Sequence, residues 1–306
     1  MTTLVFGHKS PDTDSTGSPL IWAWYLTEVM NTPAKAVLLG EPNTEAAFML
    51  RHWGVERPEI ITDVAAGAPV VIVDTNNPAE LPAGINDADI TAIIDHHMLV
   101  GGLKTKAPID ITVRPLACTA TILHDLMGAD LALAPRAIKG MMLTCILSDT
   151  LEFRSPTTTP HDRAVAEALA ADLDVAIPAF AAQMFAAKSD VSSFSDAALL
   201  RMDSKEYTVA GKELRISVLE TTSPAVVLDR KASLMRSMLD VAKEDGADQV
   251  LLFVIDILRE EATLLVPNDL VKAMAEASFG VKVLGDTVVL PGVMSRKKQI
   301  LPALKL

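Results

Sequence analysis

Cysteine and aromatic residues are both scarce in this chain of 306 residues. Cys118 and Cys145 are the only cysteines and form no Cys-x-x-Cys pair, which excludes a disulfide scaffold and disfavours a structural zinc site. Aromatic residues make up 4% of the sequence, too few for the stacking platforms that hold single-stranded nucleic acid. No apolar run approaches the roughly 18 residues of a membrane span, although 50% of the residues are hydrophobic. We therefore expect a large buried core and no contact with membrane or nucleic acid.

Basic residues are in the minority as well. The chain carries 27 Lys and Arg against 39 Asp and Glu, a net charge of −12, which argues against a general nucleic-acid binder. A small anionic substrate stays compatible with this balance, because its binding depends on local charge. The first residues show no basic stretch followed by an apolar segment, so we expect no secretory signal. Together with the few cysteines, this pattern predicts a cytoplasmic protein.

The first half of the chain alternates between strand-like and helix-like segments. Strands buried on both faces read as continuous apolar runs, and intervening helices indicate parallel βαβ units. We therefore predict an α/β domain over residues 1–188, with a parallel sheet and helices on both faces. The predicted strands are Thr3–Gly7, Ala36–Leu39, Val70–Asp74 and Thr91–Asp95, and the predicted helices are Leu20–Met30, Thr44–Trp53, Thr119–Met127, Pro135–Leu147 and His161–Ala187, the last broken near Ile177.

A short polar stretch without periodicity, residues 189–194, predicts a linker. The strand-like and helix-like segments after it indicate a smaller α+β domain over residues 195–306. Its predicted strands are Tyr207–Val209, Leu214–Glu220, Val250–Leu258, Ala262–Val266 and Thr287–Leu290, and its predicted helices are Lys231–Asp245 and Asp269–Ser278.

One imidazole and two carboxylates follow the first predicted strand within seven residues: His8, Asp12 and Asp14. Ligands of open α/β sheets bind beyond the carboxyl ends of the strands, so these side chains can converge on a metal ion. The alternative is that Asp12, Asp14 or Ser15 caps the helix that follows. The segment alone leaves both interpretations open.

Acidic and imidazole side chains also end two later strands. Asp74 closes one apolar run, and Asp95, His96 and His97 close the next. An Asp beside a metal-binding His often serves as its hydrogen-bonding partner. Two adjacent histidines can serve two roles, one at a metal and one at a substrate. Asp74 alone is a weak signal, because turns also favour aspartate.

Asp149 ends a predicted helix, where the helix dipole disfavours an acidic side chain. The acids and imidazoles together exceed what one metal ion needs, whereas two adjacent ions would share carboxylates. Carboxylate and imidazole ligation without thiolate favours Mn²⁺, Co²⁺ or Fe²⁺ over Ca²⁺ or structural zinc. Two ions about 3.5–4 Å apart can polarise a phosphoryl oxygen and deprotonate a water molecule at neutral pH.

A basic run lies near the C-terminus, where Arg296, Lys297 and Lys298 follow Ser295. Arginine binds phosphate oxygens through two donors, and lysine binds them as a point charge. An exposed basic tail is the alternative. The acidity of the chain and the apolar strand before the run favour an anion-binding role.

This set of residues resembles the DHH phosphoesterase superfamily, which is named for an Asp-His-His motif. The basic run resembles the signature of family II inorganic pyrophosphatases, the manganese-dependent class, and Leu151 to Thr159 resembles their segment after the fourth aspartate. The resemblance extends over both predicted domains, from Leu4 to Gln299. The matching positions, in chain order, are His8, Asp12, Asp14, Asp74, Asp95, His96, His97, Asp149 and residues 295–298.

The resemblance implies hydrolysis of pyrophosphate to two phosphates by a hydroxide held between two Mn²⁺ ions, with Co²⁺ as the alternative metal and Mg²⁺ arriving with the substrate. It also implies an active site between the domains and a homodimer formed through the first domain. Asp95 would orient the metal-bound imidazole. The implied ligands are His8, Asp12, Asp74 and Asp149 for one ion and Asp14, Asp74, His96 and Asp149 for the other. The residues implied to hold pyrophosphate are His97, Lys205, Arg296 and Lys297. The implied catalytic residues are Asp95, His97, Lys205 and Arg296.

Two features set this chain apart from relatives. Many members read His-Asn-Glu after the metal-binding aspartate, whereas this chain reads Thr75, Asn76 and Asn77. We expect this departure to affect the surroundings of the ligands or a subunit contact and to leave the chemistry intact. The length leaves no room for the nucleotide-sensing insert of some relatives, so we predict no regulation by adenine nucleotides.

Three other functions compete with pyrophosphate hydrolysis. Relatives that cleave short oligonucleotides or nucleoside bisphosphates typically end in a glycine- and histidine-rich motif, and no Gly-Gly-Gly-His occurs here. Polyphosphatases share the second-domain type but often replace the second His of the motif, which His97 retains. A metal-dependent binding protein that has lost activity would lack a ligand, whereas all matched positions are filled.

Overall fold

The computed structural model describes residues 1–305, apart from the side chain of Lys297. The chain forms two compact units that divide between Ala187 and Lys188. Within the described part, none of the helices has the length and apolar character needed to span a membrane.

The first unit is built on a six-stranded sheet whose pairings are parallel. Every predicted strand is present, and two short strands that the sequence did not predict complete the sheet. The strands are β1 Thr3–Phe6, β2 Ala34–Leu38, β3 Glu59–Ile60, β4 Pro69–Val73, β5 Asp89–Asp95 and β6 Asp110–Val113.

The strand order is β3-β2-β1-β4-β5-β6. From β1 the chain proceeds to β2 and β3 on one side, and then returns to β4, β5 and β6 on the other. The order of the strands therefore reverses between β1 and β4. In open α/β sheets this switch point creates a crevice at the carboxyl ends of the strands, where ligands bind.

Six α-helices belong to this unit, and all of them pack apolar residues with one face of the sheet in a single core. Short 3₁₀ helices and connecting segments, including Leu81 and Ile85, cover the other face. Helices thus lie on both faces, as predicted, but the α-helical layer lies on one. The helices are α1 Thr13–Trp24, α2 Thr44–Trp53, α3 Thr119–Met127, α4 Arg136–Asp149, α5 Pro160–Leu173 and α6 Ile177–Lys188.

Helix α1 begins seven residues earlier than the predicted helix at Leu20. Its first residues are small and polar, so the apolar periodicity that marks a helix is absent there. They are nevertheless buried, and a hydrogen bond between Asp14 and Ser18 compensates part of the cost of burying polar side chains. The early start brings Asp12 and Asp14 to the beginning of a helix at the switch point.

The second unit contains a five-stranded mixed sheet in the order β11-β10-β9-β8-β7, with β8 and β9 parallel and the other neighbours antiparallel. One apolar core lies on each face of the sheet. The strands are β7 Ser204–Val209, β8 Lys212–Thr221, β9 Gln249–Asp256, β10 Glu261–Leu265 and β11 Thr287–Pro291, and the helices are α7 Asp196–Met202, α8 Pro224–Leu228, α9 Lys231–Asp245, α10 Asp269–Phe279 and α11 Leu301–Ala303.

Candidate metal centre

The six predicted metal ligands of the first unit converge at the switch point. They come from the segment after β1, the ends of β4 and β5, and the ends of two helices. With His97 they form three overlapping groups, and within each group the ligand atoms lie within 4.8 Å of one another. The groups are His8, Asp12 and Asp74; Asp14, His96 and Asp149; and Asp74, His96 and His97.

His8 lies between two carboxylates. Its Nε2 is 3.7 Å from Oδ2 of Asp12 and 3.6 Å from Oδ2 of Asp74. Burial lowers the pKa of His8, but the neighbouring carboxylates of Asp12 and Glu80 outweigh that effect and raise it. Asp12 also accepts a 2.9 Å hydrogen bond from the Ser15 amide and caps α1. The structure thus confirms Asp12 as the helix cap, and the same carboxylate faces the imidazole in a group that could hold a metal ion.

Asp14 is 1% exposed, and both its oxygens accept hydrogen bonds. Oδ1 accepts from the Ser18 hydroxyl at 2.6 Å, and Oδ2 accepts from the Thr119 amide at 2.6 Å. The Thr119 hydroxyl donates to Oδ1 of Asp74 at 3.1 Å. One residue at the start of α3 therefore contacts two predicted ligands, and nothing in its local sequence indicated this role.

Asp74 stands at the centre of the site and is 1% exposed. Its backbone adopts the left-handed conformation, with φ of 59°, which Asp tolerates better than most residues and which is concentrated at functional sites. Burial, and then the carboxylates of Asp14, Asp12 and Asp149, raise its pKa well above the usual range. Such a concentration of buried negative charge is the environment that a divalent cation neutralises.

The two histidines after β5 have different partners. Nδ1 of His96 faces the Leu116 carbonyl at 3.2 Å, and since a carbonyl can only accept, this nitrogen carries the proton. Nε2 faces Oδ1 of Asp74, 3.4 Å away. That separation is long for a hydrogen bond but fits two atoms that share one ion, each at about 2.1 Å. His96 is thus prepared to bind a cation.

The structure corrects the predicted role of Asp95. Its Oδ1 lies 2.9 Å from Nδ1 of His97 and accepts from the amides of both histidines, whereas the ring of His96 is held by Leu116. Asp95 therefore orients the imidazole predicted for the substrate and not the one predicted for the metal. The hydrogen bond to Asp95 raises the pKa of His97 against the opposing effect of burial.

Asn76 matches the common family pattern, whereas Thr75 and Asn77 depart from it. The side-chain amide of Asn76 donates to Oδ2 of Asp95 and to the Met98 carbonyl, and its oxygen accepts from the Val100 amide. Thr75 instead donates to the carboxylate of Glu80 at 2.8 Å. Asn77 accepts from the Ala79 amide at 3.1 Å. Asn76 therefore supports the loop around the Asp-His-His segment, whereas the departing residues bond within their own turn, and none of the three contributes an atom to the ligand groups.

The second unit contains the remaining predicted residues. Arg296 donates to Oδ1 of Asp203 at 2.7 Å and to its carbonyl at 2.8 Å. Asp203 lies two positions before Lys205, which is exposed on β7, so the two cations are attached to one edge of this unit. The side chain of Lys297 lies outside the described part of the structure.

The ligand set fits divalent metal ions. Carboxylates and imidazoles make up all six positions, two carboxylates are almost fully buried, and no thiolate takes part. The two cysteines nearby are buried, and burial raises the pKa of both thiols well above the usual range. Neither cysteine belongs to the three ligand groups.

Comparison with known proteins matches each unit to a family model. The model of the DHH family N-terminal domain covers residues 2–149, and that of the DHHA2 domain covers residues 182–306. A Deinococcus radiodurans protein named as a manganese-dependent inorganic pyrophosphatase is 42% identical over 98% of this chain and 97% of its own length.

Solved structures give the same correspondence. The crystal structure of a Methanococcus jannaschii protein described as a family II inorganic pyrophosphatase matches with a TM-score of 0.62 and 33% identity, covering 99% of this chain and 98% of that one. An exopolyphosphatase-related protein from Bacteroides fragilis matches with a TM-score of 0.52 at 11% identity, over 99% of this chain and 90% of that one, and shows a shared fold only.

Proposed function

The chain belongs to the family of manganese-dependent inorganic pyrophosphatases, and from this we propose that it hydrolyses pyrophosphate to two phosphates at the switch point of its first unit. The observation that carries the proposal is the convergence of His8, Asp12, Asp14, Asp74, His96 and Asp149 in three overlapping ligand groups. Bound there, two Mn²⁺ ions would polarise a phosphoryl oxygen and lower the pKa of a water molecule to near neutrality.

We assign the ligands of these ions as the family resemblance implies, and the three ligand groups support the assignment. His8, Asp12, Asp74 and Asp149 would hold one ion, and Asp14, Asp74, His96 and Asp149 the other. Asp74 and Asp149 would therefore be shared. The carboxylates would offset the charge of the ions, and Thr119 and Ser18 would keep Asp14 oriented through the hydrogen bonds described above.

The substrate brings dense negative charge, which cationic side chains would neutralise. Arg296, Lys205 and Lys297 would contact the transferring and leaving phosphates, and His97, held by Asp95, would contact a phosphate oxygen. Positioning and charge neutralisation dominate phosphoryl transfer, so these residues would supply most of the catalytic effect. Mg²⁺ would enter with pyrophosphate, because phosphate oxygens favour a hard cation.

The proposal divides the task between two domains. Residues 1–188 would bind the metals, residues 195–306 would hold the substrate, and residues 189–194 would link them. A cytoplasmic location accords with Cys118 and Cys145, which are free and buried.

A homodimer through the first unit is the final part of the proposal. Strand β6 lies at the edge of the sheet, where Ile111 is 56% exposed. A cavity of about 560 Å³ adjoins it, lined in part by Trp22, Tyr25 and Leu126. An open strand edge with apolar surface is prone to pair with a second chain. We expect sedimentation velocity to give a dimer for the native chain and a monomer for Ile111→Glu.

The decisive experiment is phosphate release from pyrophosphate after loading the protein with Mn²⁺. Tripolyphosphate and a dinucleotide are assayed in parallel. Fast release from pyrophosphate alone supports the proposal, whereas preference for tripolyphosphate or the dinucleotide contradicts the substrate assignment. Release from none of them, with Mn²⁺ bound, would indicate a binding protein.

Asp149→Asn provides the matched variant. It preserves the size of the side chain but removes a charge proposed to be shared by two ions. We expect turnover to fall at least about 10³-fold, on the scale of losing a principal charge-stabilising group. Near-normal turnover would contradict the ligand assignment.

A further inference from the structure

Glu45 is a buried carboxylate for which the sequence provided no motif. It lies in the first turn of α2 and is 0% exposed. Acidic side chains are rarely buried unless hydrogen bonds or ions compensate their charge. Its position therefore requires an explanation beyond the packing of an amphipathic helix.

Two hydroxyl groups converge on one oxygen of this carboxylate. Oε2 accepts from Oγ1 of Thr13 at 3.0 Å and from Oγ of Ser148 at 2.6 Å. These donors are 32 and 103 residues away in sequence and belong to different helices, α1 and α4. Each directly precedes a ligand proposed above, because Thr13 is followed by Asp14 and Ser148 by Asp149.

Glu45 therefore contacts the neighbours of two proposed ligands without belonging to a ligand group itself. Asp14 and Asp149 belong to one ligand group, and their negative charges repel each other without a cation. Thr13 and Ser148, the residues just before these two ligands, both donate to Oε2 of Glu45. The shared acceptor therefore fixes the two helix ends relative to each other. A carboxylate is suited to this task, because hydrogen bonds to a charged acceptor are roughly twice as strong as those between neutral groups.

We propose that Glu45 is a positioning residue for the metal centre, which sets the spacing of Asp14 and Asp149 by holding Thr13 and Ser148 together. The inference rests on the proposed function, since it takes these two aspartates as metal ligands. Glu45 contacts neither metal nor substrate and acts through the two helix ends.

A second contact between the same helices offers a matched control. Nε1 of Trp53, in the last turn of α2, donates to Oγ1 of Thr144 on α4 at 2.9 Å. Thr144 lies one turn before Ser148 and precedes no ligand. Thr144→Val therefore removes a hydrogen bond between α2 and α4 without disturbing a residue next to the metal centre.

The test measures Mn²⁺ binding to metal-free protein by titration calorimetry, without pyrophosphate. We expect Glu45→Gln to weaken Mn²⁺ binding about tenfold, as is typical for residues that orient metal ligands. The electron paramagnetic resonance spectrum of bound Mn²⁺ should differ in line width or splitting from that of the native protein, because the ligands would be positioned differently. Thr144→Val should bind Mn²⁺ within about twofold of the native protein.

Two results would overturn the proposal. One is an unchanged Mn²⁺ affinity in a folded Glu45→Gln protein. The other is an equal loss of Mn²⁺ affinity in Thr144→Val, which would show that Glu45 only contributes to the packing of α2 against α4. Should Glu45→Gln fail to fold, Ser148→Ala and Thr13→Val each remove one of the two hydrogen bonds to Glu45 and must each weaken Mn²⁺ binding.

A double-variant cycle adds a readout that a purely structural role would not move. Glu45→Gln and Ser148→Ala together should weaken Mn²⁺ binding less than the product of their separate effects, because the first weakens and the second removes the same hydrogen bond. The proposed function is tested separately by phosphate release. A native protein that binds Mn²⁺ but releases no phosphate refutes the function and leaves this binding result interpretable.

Discussion

The imidazole of His97 is held by Asp95, with 2.9 Å between Nδ1 and Oδ1. Burial disfavours the charge of Asp95, but hydrogen bonds from His97 and Asn76 outweigh it, so its pKa lies below the usual range. A buried, ionised carboxylate thus fixes one orientation of a ring whose other edge is half exposed. The two rings of the Asp-His-His segment therefore differ, because His96 faces Asp74 in the candidate metal centre and His97 is half exposed.

Asp95→Asn tests this difference. The amide keeps an acceptor for the backbone but loses the charge that holds His97. We expect kcat/KM for pyrophosphate to fall about tenfold or more, equivalent to about 1.4 kcal/mol, while the Kd for Mn²⁺ changes less than about threefold. Steady-state kinetics and calorimetry measure the two quantities. In a His97→Gln background, Asp95→Asn should have little further effect on kcat/KM. A large loss of Mn²⁺ affinity in Asp95→Asn alone would contradict the assignment and indicate that Asp95 orients His96.

Arg296→Lys tests whether geometry or charge matters in the second unit. Arg296 uses both terminal nitrogens on Asp203, and lysine cannot reproduce this fork. We expect KM for pyrophosphate to rise about tenfold although the charge is retained. Lys298 is an exposed cation of the same segment, and Lys298→Gln is the control. Its KM should stay within twofold, and an equal rise in both variants would indicate that only net charge is sensed.

The convergence of the candidate ligands could be predicted because most of them follow apolar strands. A run such as Val70–Val73 is recognisable from composition, and parallel strands bring their carboxyl ends to one edge, so Asp74 and His96 could be placed together. Helices with clear periodicity or caps, such as Thr44–Trp53 and Lys231–Asp245, were predicted with the bounds observed.

The supporting residues could not be predicted in the same way. Thr119 contacts Asp14 over 105 positions and Glu45 contacts Ser148 over 103, so no local pattern reveals either. The partner of Asp95 was predicted wrongly because adjacent histidines look equivalent in sequence. Only the carbonyl of Leu116, brought in by the loop before α3, distinguishes the two rings.

The approach of α1 to α4 gives a stability prediction. A Cβ added at Gly17 would lie 2.4 Å from Sγ of Cys145 and 3.3 Å from Cε of Met49, inside the core of the first unit. We expect Gly17→Ala to lower the free energy of unfolding by about 1–3 kcal/mol, despite the better helix propensity of alanine. Urea denaturation of metal-free protein measures this change.

Cys145→Ala supplies the matched control, because it removes the atom that the new methyl group would meet. The double variant should be at least about 1 kcal/mol more stable than the sum of the two single effects predicts. Strict additivity would show that the contact at Gly17 does not limit the approach of the helices.

The cluster around Asp125 gives a pH-dependent prediction outside the metal centre. Asp125 accepts from Arg114 at 2.8 Å, from His161 at 2.8 Å and from His124 at 3.3 Å, and so links the segment after β6 with α3 and α5. Burial disfavours its charge, but the hydrogen bonds from His161 and His124 prevail and lower its pKa. A lowered pKa in the folded state means that the carboxylate stabilises the fold above the pKa of the unfolded chain, about 3.9.

Asp125→Asn should therefore lower the free energy of unfolding by about 1 kcal/mol at pH 5.5, and the difference from the native protein should shrink as the pH falls through 4. Urea denaturation in chelator at pH 5.5, 4.5 and 3.5 measures it, so that metal binding does not contribute. Glu167→Gln is the control, since Glu167 lies 3.7 Å from Arg163 in an exposed pair on α5, and its effect should stay below about 0.5 kcal/mol. A difference for Asp125→Asn that is constant across this range would show that its charge contributes nothing, because only an ionisable group with a lowered pKa loses its contribution on acidification.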